Sequence, residues 1–417
     1  MPPTLTLSEL ADSLVPGRTV FMPGSAAEPT PLLELWRSDP ARTRSLRLLH
    51  SFVPGINAFD MDSLDASAVV TGLFMQPAWQ RAQASGRFRH LPLSYSGFVR
   101  YIGESTPVDT CVVHVAPPDA HGHCSLGPAV EFTPLVQARS RRTVALLNPS
   151  LPAMPGSAFL PLDAFDAVAE VDCIPKGYDV GLANAQAIAI ATLIAGFIDD
   201  GCTVQVGLGK VPNALFALLH DRRRLRLYSG MLSDSALDLW EAGALDPAAQ
   251  PTSCVWVGSP ALYPRLHGLA GVVVAGCDRT HAAATLMALP KLRAVNSALS
   301  VDLFGQANLE VAGGQAISGL GGAADFARAA RSAPGGLSIV ALPASYSGGT
   351  RTRIVPRLDD GIASLGRTDI DVVVTEHGAA DLRGLSVHER AKALVSVAEP
   401  ALRDGLLAEW AVIAARL

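Results

Sequence analysis

Three short stretches of the 417-residue chain carry residue types that could do chemistry. The first is Leu225-Arg-Leu-Tyr-Ser-Gly-Met-Leu-Ser-Asp234. It reads as a short apolar strand that ends in small residues at Tyr228-Ser229-Gly230 and turns into a helix over 235–241. In α/β proteins ligands gather at such carboxyl ends of strands. The second is Gly207-Leu208-Gly209, between a β-like run and a helix with Pro212 in its first turn. Backbone N–H groups at a helix start can cradle a phosphate or meet a developing oxyanion. A dinucleotide fingerprint would need a third glycine at position 212 and an acidic end to the next strand, and both are missing. The third is Gly319-Leu-Gly321-Gly322 ahead of another helix, where glycine permits close approach of backbone to ligand. Gly313-Gly314, just upstream, suggests that the backbone here bends around something.

Two further motifs lead elsewhere. His121-Gly-His-Cys124 offers metal-ligand types, but no second cluster supplies the remaining ligands, so an ordinary polar turn is expected and no metal. Hydrolases with a serine nucleophile carry it on a Gly-x-Ser-x-Gly turn, and that pentapeptide does not occur.

The elements that position these residues alternate. Val20–Met22, Leu46–His50, Val112–Val115 and Thr143–Leu147 read as strands with helical patterns between them, which points to βαβ units and mainly parallel sheets. Thr6-x-x-Glu9 and Ser386-x-x-Glu389 are capping boxes opening the first and a late helix. The second half repeats the plan of the first. Thr203–Val206, the glycine loop, the helix 212–219 and Leu225–Ser229 parallel Val20–Met22, Pro23-Gly24, the helix 29–36 and Leu46–His50. Two related open α/β domains follow, residues 1–180 and 181–417. Val272–Val274, Arg293–Asn296, Ser338–Ala341 and Val372–Val374 complete the strands of the second. Their endings, including Gly276, Asn296 and Glu376, are expected to line one cleft.

Composition narrows the classes. Hydrophobic residues make up 49% and charged residues 17%, with a mean hydropathy of +0.28, a core-rich globular profile. The longest apolar stretch, 185–198, is interrupted by Gln186 and is too short for a membrane span. No export signal is visible at the start of the sequence. Six scattered cysteines without a Cys-x-x-Cys pair argue against a zinc ribbon or a disulfide framework and fit a reduced cytoplasmic setting. A net charge of −5 without a basic, aromatic-interleaved stripe disfavours nucleic acid. Arg222-Arg223-Arg224 is either a local anion spot or a solvated helix end.

Taken in order, further segments carry a resemblance. They are Pro117-Pro-Asp-Ala-His-Gly-His-Cys-Ser-Leu-Gly127, Asn148-Pro-Ser-Leu-Pro152, Gln205-Val-Gly-Leu-Gly209, Asn296-Ser-Ala-Leu-Ser-Val-Asp302, Gly319-Leu-Gly-Gly322 and Val373-Val-Thr-Glu-His-Gly-Ala-Ala-Asp-Leu-Arg-Gly384. Together they resemble the acetyl-CoA hydrolase/CoA-transferase family, the class I enzymes that include 4-hydroxybutyrate CoA-transferases. The resemblance implies the class I CoA-transferase fold, coenzyme A bound as an acyl-CoA substrate mainly by the C-terminal domain, and a homodimer. It implies backbone N–H groups of Leu208 and Gly321 as oxyanion donors. Gly207, Gly209, Gly319 and Gly322 would shape the CoA site, Asn296 would touch the CoA chain or thioester, and Glu376 would sit beside the reacting centre.

It also implies a departure. The family's catalytic glutamate, which becomes a glutamyl-CoA thioester, lies in a segment that here reads Tyr228-Ser-Gly-Met-Leu-Ser-Asp234, followed by Asp238-Leu239 and Glu241-Ala-Gly243. The glutamate position is Gly230. Ser300 and Ala323 stand where the family usually has Glu and Gln. Glycine cannot attack a thioester, so the glutamyl-CoA route is expected to be closed. Three readings follow. One is thioester hydrolysis or a related oxyanion-stabilised reaction such as decarboxylation, with Glu376 or a nearby histidine as base. A second is CoA or acyl transfer to a small carboxylate by a substitute nucleophile, Ser229 foremost, or directly between bound partners. A third is a CoA-binding homologue without catalysis.

Overall fold

Strands that are apolar at every position need cover on both faces, as in parallel sheets flanked by helices. Thr110–Val115, Thr203–Val206, Leu337–Ala341 and Val372–Thr375 are buried at every residue. The computed structural model describes all residues except 105–106 and 359–360, and it places these strands inside two sheets, one in each of two units.

The first unit comprises Met1–Asp179, Met231–Asp234 and Pro251–Ala282. Its sheet contains β1 (Thr4–Leu5), β2 (Thr19–Met22), β3 (Arg47–His50), β4 (Val69–Gly72), β5 (Phe88–His90), β6 (Thr110–Val115), β7 (Arg142–Leu147) and β8 (Ala167–Glu170), ordered β1-β8-β7-β6-β2-β3-β4-β5. All its pairings are parallel. The helix Leu7–Asp12 opens with the expected capping box, the Thr6 hydroxyl accepting from the Glu9 N–H and the Glu9 carboxylate from the Thr6 N–H. Trp36, Trp79, Phe21, Phe52, Phe88 and Phe98 are fully buried around this sheet.

The second unit comprises Val180–Gly230, Ser235–Gln250 and Ala283–Leu417. Its sheet holds β9 (Thr203–Val206), β10 (Arg226–Leu227), β11 (Leu292–Ser297), β12 (Leu337–Ala341), β13 (Val372–Thr375) and β14 (Gly378–Asp381), ordered β10-β9-β11-β12-β13-β14. Only the edge pair β13–β14 is antiparallel. The winding matches part of the first unit: β2 and β9 are central, β3 and β10 lie to one side, and β6–β8 and β11–β13 follow in succession on the other, while β1, β4 and β5 are additions of the first sheet. β9, β10, β11, β12 and β13 take the places of β2, β3, β6, β7 and β8.

Several sequence expectations change here. The chain first crosses between units at Asp179–Val180, but residues 231–234 and 251–282 group with the first unit. The strand expected over 225–229 is regular only at Arg226–Leu227. It does not run straight into the following helix, because Met231–Leu232 forms its own parallel pair with Val255–Trp256 before helix Asp234–Glu241 begins. The run ending at Gly276 lies in the first unit, where Val273–Val274 pairs with Thr252–Ser253, so it lines no cleft of the second sheet. Gly313-Gly314, at φ +59° and +75°, is the two-residue turn of a hairpin joining Val311–Ala312 to Gln315–Ala316. Both positions need the left-handed region, which accounts for the glycines without any ligand.

Candidate functional site

In a parallel sheet the helix after each strand starts at the strand's carboxyl edge, so β9 to β13 deliver their exits and the next helix N-termini to one rim. The loop 207–209 leaves β9, and Gly209 adopts φ 141° and ψ −179° as N-cap of the helix Lys210–Leu218. L-residues rarely occupy that region, so this glycine is a backbone requirement. Pro212 sits in the first turn, where a missing N–H costs nothing. Gly207 is exposed, and Leu208 and Gly209 are half-buried. Gly322 is the N-cap of the helix Ala323–Ser332, preceded by Gly321 at φ +54°. Gly319 and Gly321 are buried, Gly322 half-buried.

The tip of β10 is tied to both loops. The Tyr228 N–H donates to the Val204 carbonyl at 3.1 Å, and the Tyr228 ring lies edge-on to Phe326, in the helix after Gly322, with centroids 6.5 Å apart. Ser229 is fully buried, and its hydroxyl donates to the Val206 carbonyl at 2.6 Å, next to Gly207. Gly230, half-buried, ends this tip. Just beyond it, the Ser235 hydroxyl donates to Asn213 Oδ1 at 3.0 Å.

Asn296 is buried near the end of β11 and faces Gln205 on β9. Their side-chain amides exchange two long hydrogen bonds of 3.4 Å. Glu376 follows β13 with its side chain 14% exposed. One carboxylate oxygen accepts from Gln186 Nε2 at 2.7 Å and the other from the Ala344 N–H at 2.9 Å. His377 Nε2 lies 3.9 Å from Glu376 and 3.5 Å from Glu399, whose carboxylate also accepts from the Ser345 hydroxyl.

The rim has two ends. Strands in a sheet are about 4.8 Å apart, and Ser229 holds the β10 tip against β9, three strand positions from β13. Glu376 therefore follows a strand three positions from β9 in the sheet. The strand order puts β11 and β12 between them.

Two polar residues of the rim escaped sequence reading as functional, Gln186 and Gln205. Their signal is a lone amide in an otherwise apolar element: Gln186 interrupts the run 185–198, and Gln205 stands between Val204 and Val206. Ala344 could not be found, because it contributes only a backbone N–H. The remaining motifs take plain roles. Asp119 Oδ1 accepts from the N–H groups of His121 and His123, so His121-Gly122 is a polar turn, whereas His123 and the buried Cys124 belong to a short strand, His123–Ser125, paired with Phe159–Pro161. Arg222 Nε donates to the Ile198 carbonyl, and Arg223 to the carbonyls of His220 and Arg222, which makes the arginine run a helix-end cap. No helix among the described residues is long and apolar enough to cross a membrane.

The first sheet has a polar rim of its own. Glu131 is buried, at φ +42°, and accepts from the Ser25 and Ser51 hydroxyls at 2.7 Å each. Burial pushes its carboxyl above the usual range, against the pull of those donors. Glu28, also buried, accepts from Asn57 Nδ2 at 2.9 Å and pairs with Lys176 at 3.2 Å.

Comparison with known proteins agrees with this architecture. Residues 258–410 match the model of the acetyl-CoA hydrolase/transferase C-terminal domain. The chain is 29% identical over 407 residues to a 4-hydroxybutyrate coenzyme A transferase of Clostridium kluyveri, covering 94% of this chain and 93% of that protein. It is 28% identical over 364 residues to an acetyl-CoA hydrolase of Yarrowia lipolytica, covering 76% and 68% respectively. The crystal structure of RipA from Yersinia pestis superposes with a TM-score of 0.89 at 26% identity, covering 99% of this chain and 97% of that one. With the glycine loops, Asn296 and Glu376 on one rim of an α/β unit, residues 258–410 carry the match to the acetyl-CoA hydrolase/transferase C-terminal domain, and the chain is similar over nearly its full length to a CoA-transferase.

Proposed function

We propose that the protein processes an acyl-CoA thioester without a glutamyl-CoA intermediate, most simply by hydrolysis or by another reaction that develops an oxyanion. The observation that carries this reading is the β10 tip. Gly230 stands where the resemblance puts the family's glutamate and offers no nucleophile, and its neighbour Ser229 is committed to the Val206 carbonyl. A buried hydroxyl whose proton already has a strong acceptor is a poor substitute nucleophile. This counts against the transfer alternative that runs through Ser229.

The N–H groups of Leu208 and Gly321, both at helix starts, supply the thioester oxygen with donors whose strength increases as charge develops. Asn296 and Gln205 take the neighbouring polar atoms of the ligand. Glu376, at the far end of the rim, orients the extended CoA chain through Gln186 and Ala344 and is not the base for water at Gly230. Such a rim suits a long ligand, because a small acyl group alone could not span it. The reading includes a cytoplasmic homodimer; a small carboxylate partner belongs to the transfer alternative.

The test is incubation with a panel of acyl-CoAs, reading free CoA with a thiol reagent and covalent adducts by mass spectrometry. Released CoA without an adduct supports the reading. Tight CoA binding with no release across the panel would sink the hydrolytic version, and an adduct on Ser229 would replace it with transfer.

A further inference from the structure

Away from the second sheet, three thiophilic side chains converge inside the first unit. The parallel pairing of Thr252–Ser253 with Val273–Val274 delivers the two strand exits side by side. Cys254 follows the first exit. Cys277 opens the short helix Cys277–Thr280 just after the second, and His281 is its C-cap. Residues four apart on a helical turn share a face, so the sequence Cys277-x-x-x-His281 brings thiol and imidazole to one side. One ligand atom from each of Cys254, Cys277 and His281 lies within 4.8 Å of the others. All three residues are buried, at 0%, 1% and 1% exposure.

The surroundings fix the group. The Cys277 N–H donates to the Glu131 carbonyl at 2.8 Å, and the Val130 N–H to the Cys254 carbonyl at 3.0 Å. The Tyr95 ring covers the imidazole, with centroids 4.9 Å apart, and Phe132 packs on Tyr95 at 5.1 Å. The Thr280 hydroxyl lies 3.1 Å from the Gly276 carbonyl and 2.9 Å from His281 Nδ1. With its single proton given to Gly276, the hydroxyl oxygen accepts from Nδ1–H and leaves the Nε2 lone pair as the ligand. An outer hydrogen bond of this kind orients ligating histidines generally.

We propose that Cys254, Cys277 and His281 form a buried two-sulfur, one-nitrogen site for a thiophilic d10 cation, Zn2+ or Cu+, that staples the strand exit at Cys254 to the helix at Cys277. Metal–sulfur bonds of about 2.3 Å set tetrahedral sulfurs about 3.8 Å apart, a separation compatible with ligand atoms that all lie within 4.8 Å of one another. On binding, each thiol proton leaves to solvent and each sulfur forms a bond to the cation. Zn2+ with two thiolates and a neutral imidazole is uncharged, the state that burial tolerates best, whereas Cu+ leaves one negative charge. Charge therefore favours Zn2+, whose tetrahedral shell takes a fourth ligand besides these three, whereas three donors already suffice for Cu+. The role is structural, independent of the thioester chemistry proposed for the second sheet.

The test uses the full chain, unfolded with a chelator present and refolded under reducing, anaerobic conditions with Zn2+ or with Cu+, then gel-filtered and analysed for bound metal. The expected result is about one equivalent per chain. Co2+ should give a thiolate-to-metal absorption band, and X-ray absorption should show two sulfur neighbours and one nitrogen. Cys254→Ala/Cys277→Ala and His281→Ala should lose the metal and the rise in melting temperature that it confers. Should these variants not fold, the absorption spectra of the wild-type chain decide the matter alone. Less than about a tenth of an equivalent on the refolded wild type, undiminished metal on the double variant, or a Cys254–Cys277 disulfide in anaerobically purified protein would each overturn the proposal.

Discussion

Replacing Ser229 by alanine separates a structural hydroxyl from a catalytic one. The side chain is fully buried and its hydrogen bond to the Val206 carbonyl, 2.6 Å long, joins the β10 tip to the exit of β9. Removing the hydroxyl leaves a buried carbonyl with one acceptor site unfilled, a loss of about 1–2 kcal/mol. The second unit has about 200 residues, for which about 1 kcal/mol moves the melting temperature by about 2–4 °C. Ser229→Ala should therefore melt about 2–8 °C lower. Turnover of acyl-CoA, followed by thiol release at saturating substrate, should stay within about twofold of wild type, because the hydroxyl is not asked to attack. Loss of a true nucleophile costs about a thousandfold or more in kcat. A thousandfold loss in Ser229→Ala with an unchanged melting temperature would refute the argument and restore Ser229 as the substitute nucleophile.

Glu376→Ala strands two donors, Gln186 Nε2 and the Ala344 N–H; KM for acyl-CoA should rise about tenfold, about 1.4 kcal/mol, with kcat nearly unchanged, and steady-state kinetics check the split. A comparable fall in kcat would instead make Glu376 a catalytic residue. Acid should weaken the first unit through His50 and His114, whose pKa values burial lowers to about 3 and about 4. Both are depressed below the unfolded value near 6.5, so the unfolded chain binds the extra protons and stability falls as pH drops from about 6.5 towards 4, by about 1.4 kcal/mol per pH unit for each group. Glu131, whose carboxyl is raised, opposes this with the reverse sign at the acid end. Denaturant titrations between pH 7 and 5 should show the slope, and His50→Asn, which keeps an acceptor for the Phe52 N–H, should remove about half of it. Asn296→Leu with Gln205→Leu replaces a buried amide pair by apolar groups; the melting temperature should hold or rise, while CoA affinity measured calorimetrically should fall at least tenfold, about 1.4 kcal/mol.

The parallel architecture was legible because buried parallel strands are mostly apolar and stand out as runs such as Val112–Val115, broken only by His114, and Val372–Val374. Strands at the sheet margins were not, since Phe88–His90 and Thr4–Leu5 are too short for any periodicity to register. The two capping boxes were readable because they are local chemistry, a hydroxyl and a carboxylate three residues apart. The tip at Tyr228–Gly230 was located correctly, but its continuation was not. Whether Met231–Leu232 extends the tip or pairs with Val255–Trp256 depends on a partner more than twenty residues away. The separation of Glu376 from Gly230 was illegible for a related reason. Both follow strands of one sheet, and strand order, which sets their separation, is not written in either segment.

The amide pair between β9 and β11 says most about what this rim is for. Gln205 and Asn296 each bury a primary amide among strands that are otherwise apolar, where an unsatisfied amide costs roughly 1–3 kcal/mol. Two hydrogen bonds at 3.4 Å are at the outer limit of useful geometry. They compensate for the burial only weakly, and two apolar residues would fill the space with less risk. A loosely held pair does have one property that a tight one lacks: either amide can exchange its partner for a ligand atom at little cost. In the proposed reading that atom is a carbonyl or amide of the thioester chain, and Asn296 lies between the glycine loops and Glu376 along the rim. The same reasoning separates this pair from Ser229, whose short bond to Val206 holds it in place. In the proposed reading the rim thus combines a tip held by Ser229, with glycine at position 230, and a central amide pair that can exchange partners, an arrangement suited to gripping and polarising a thioester.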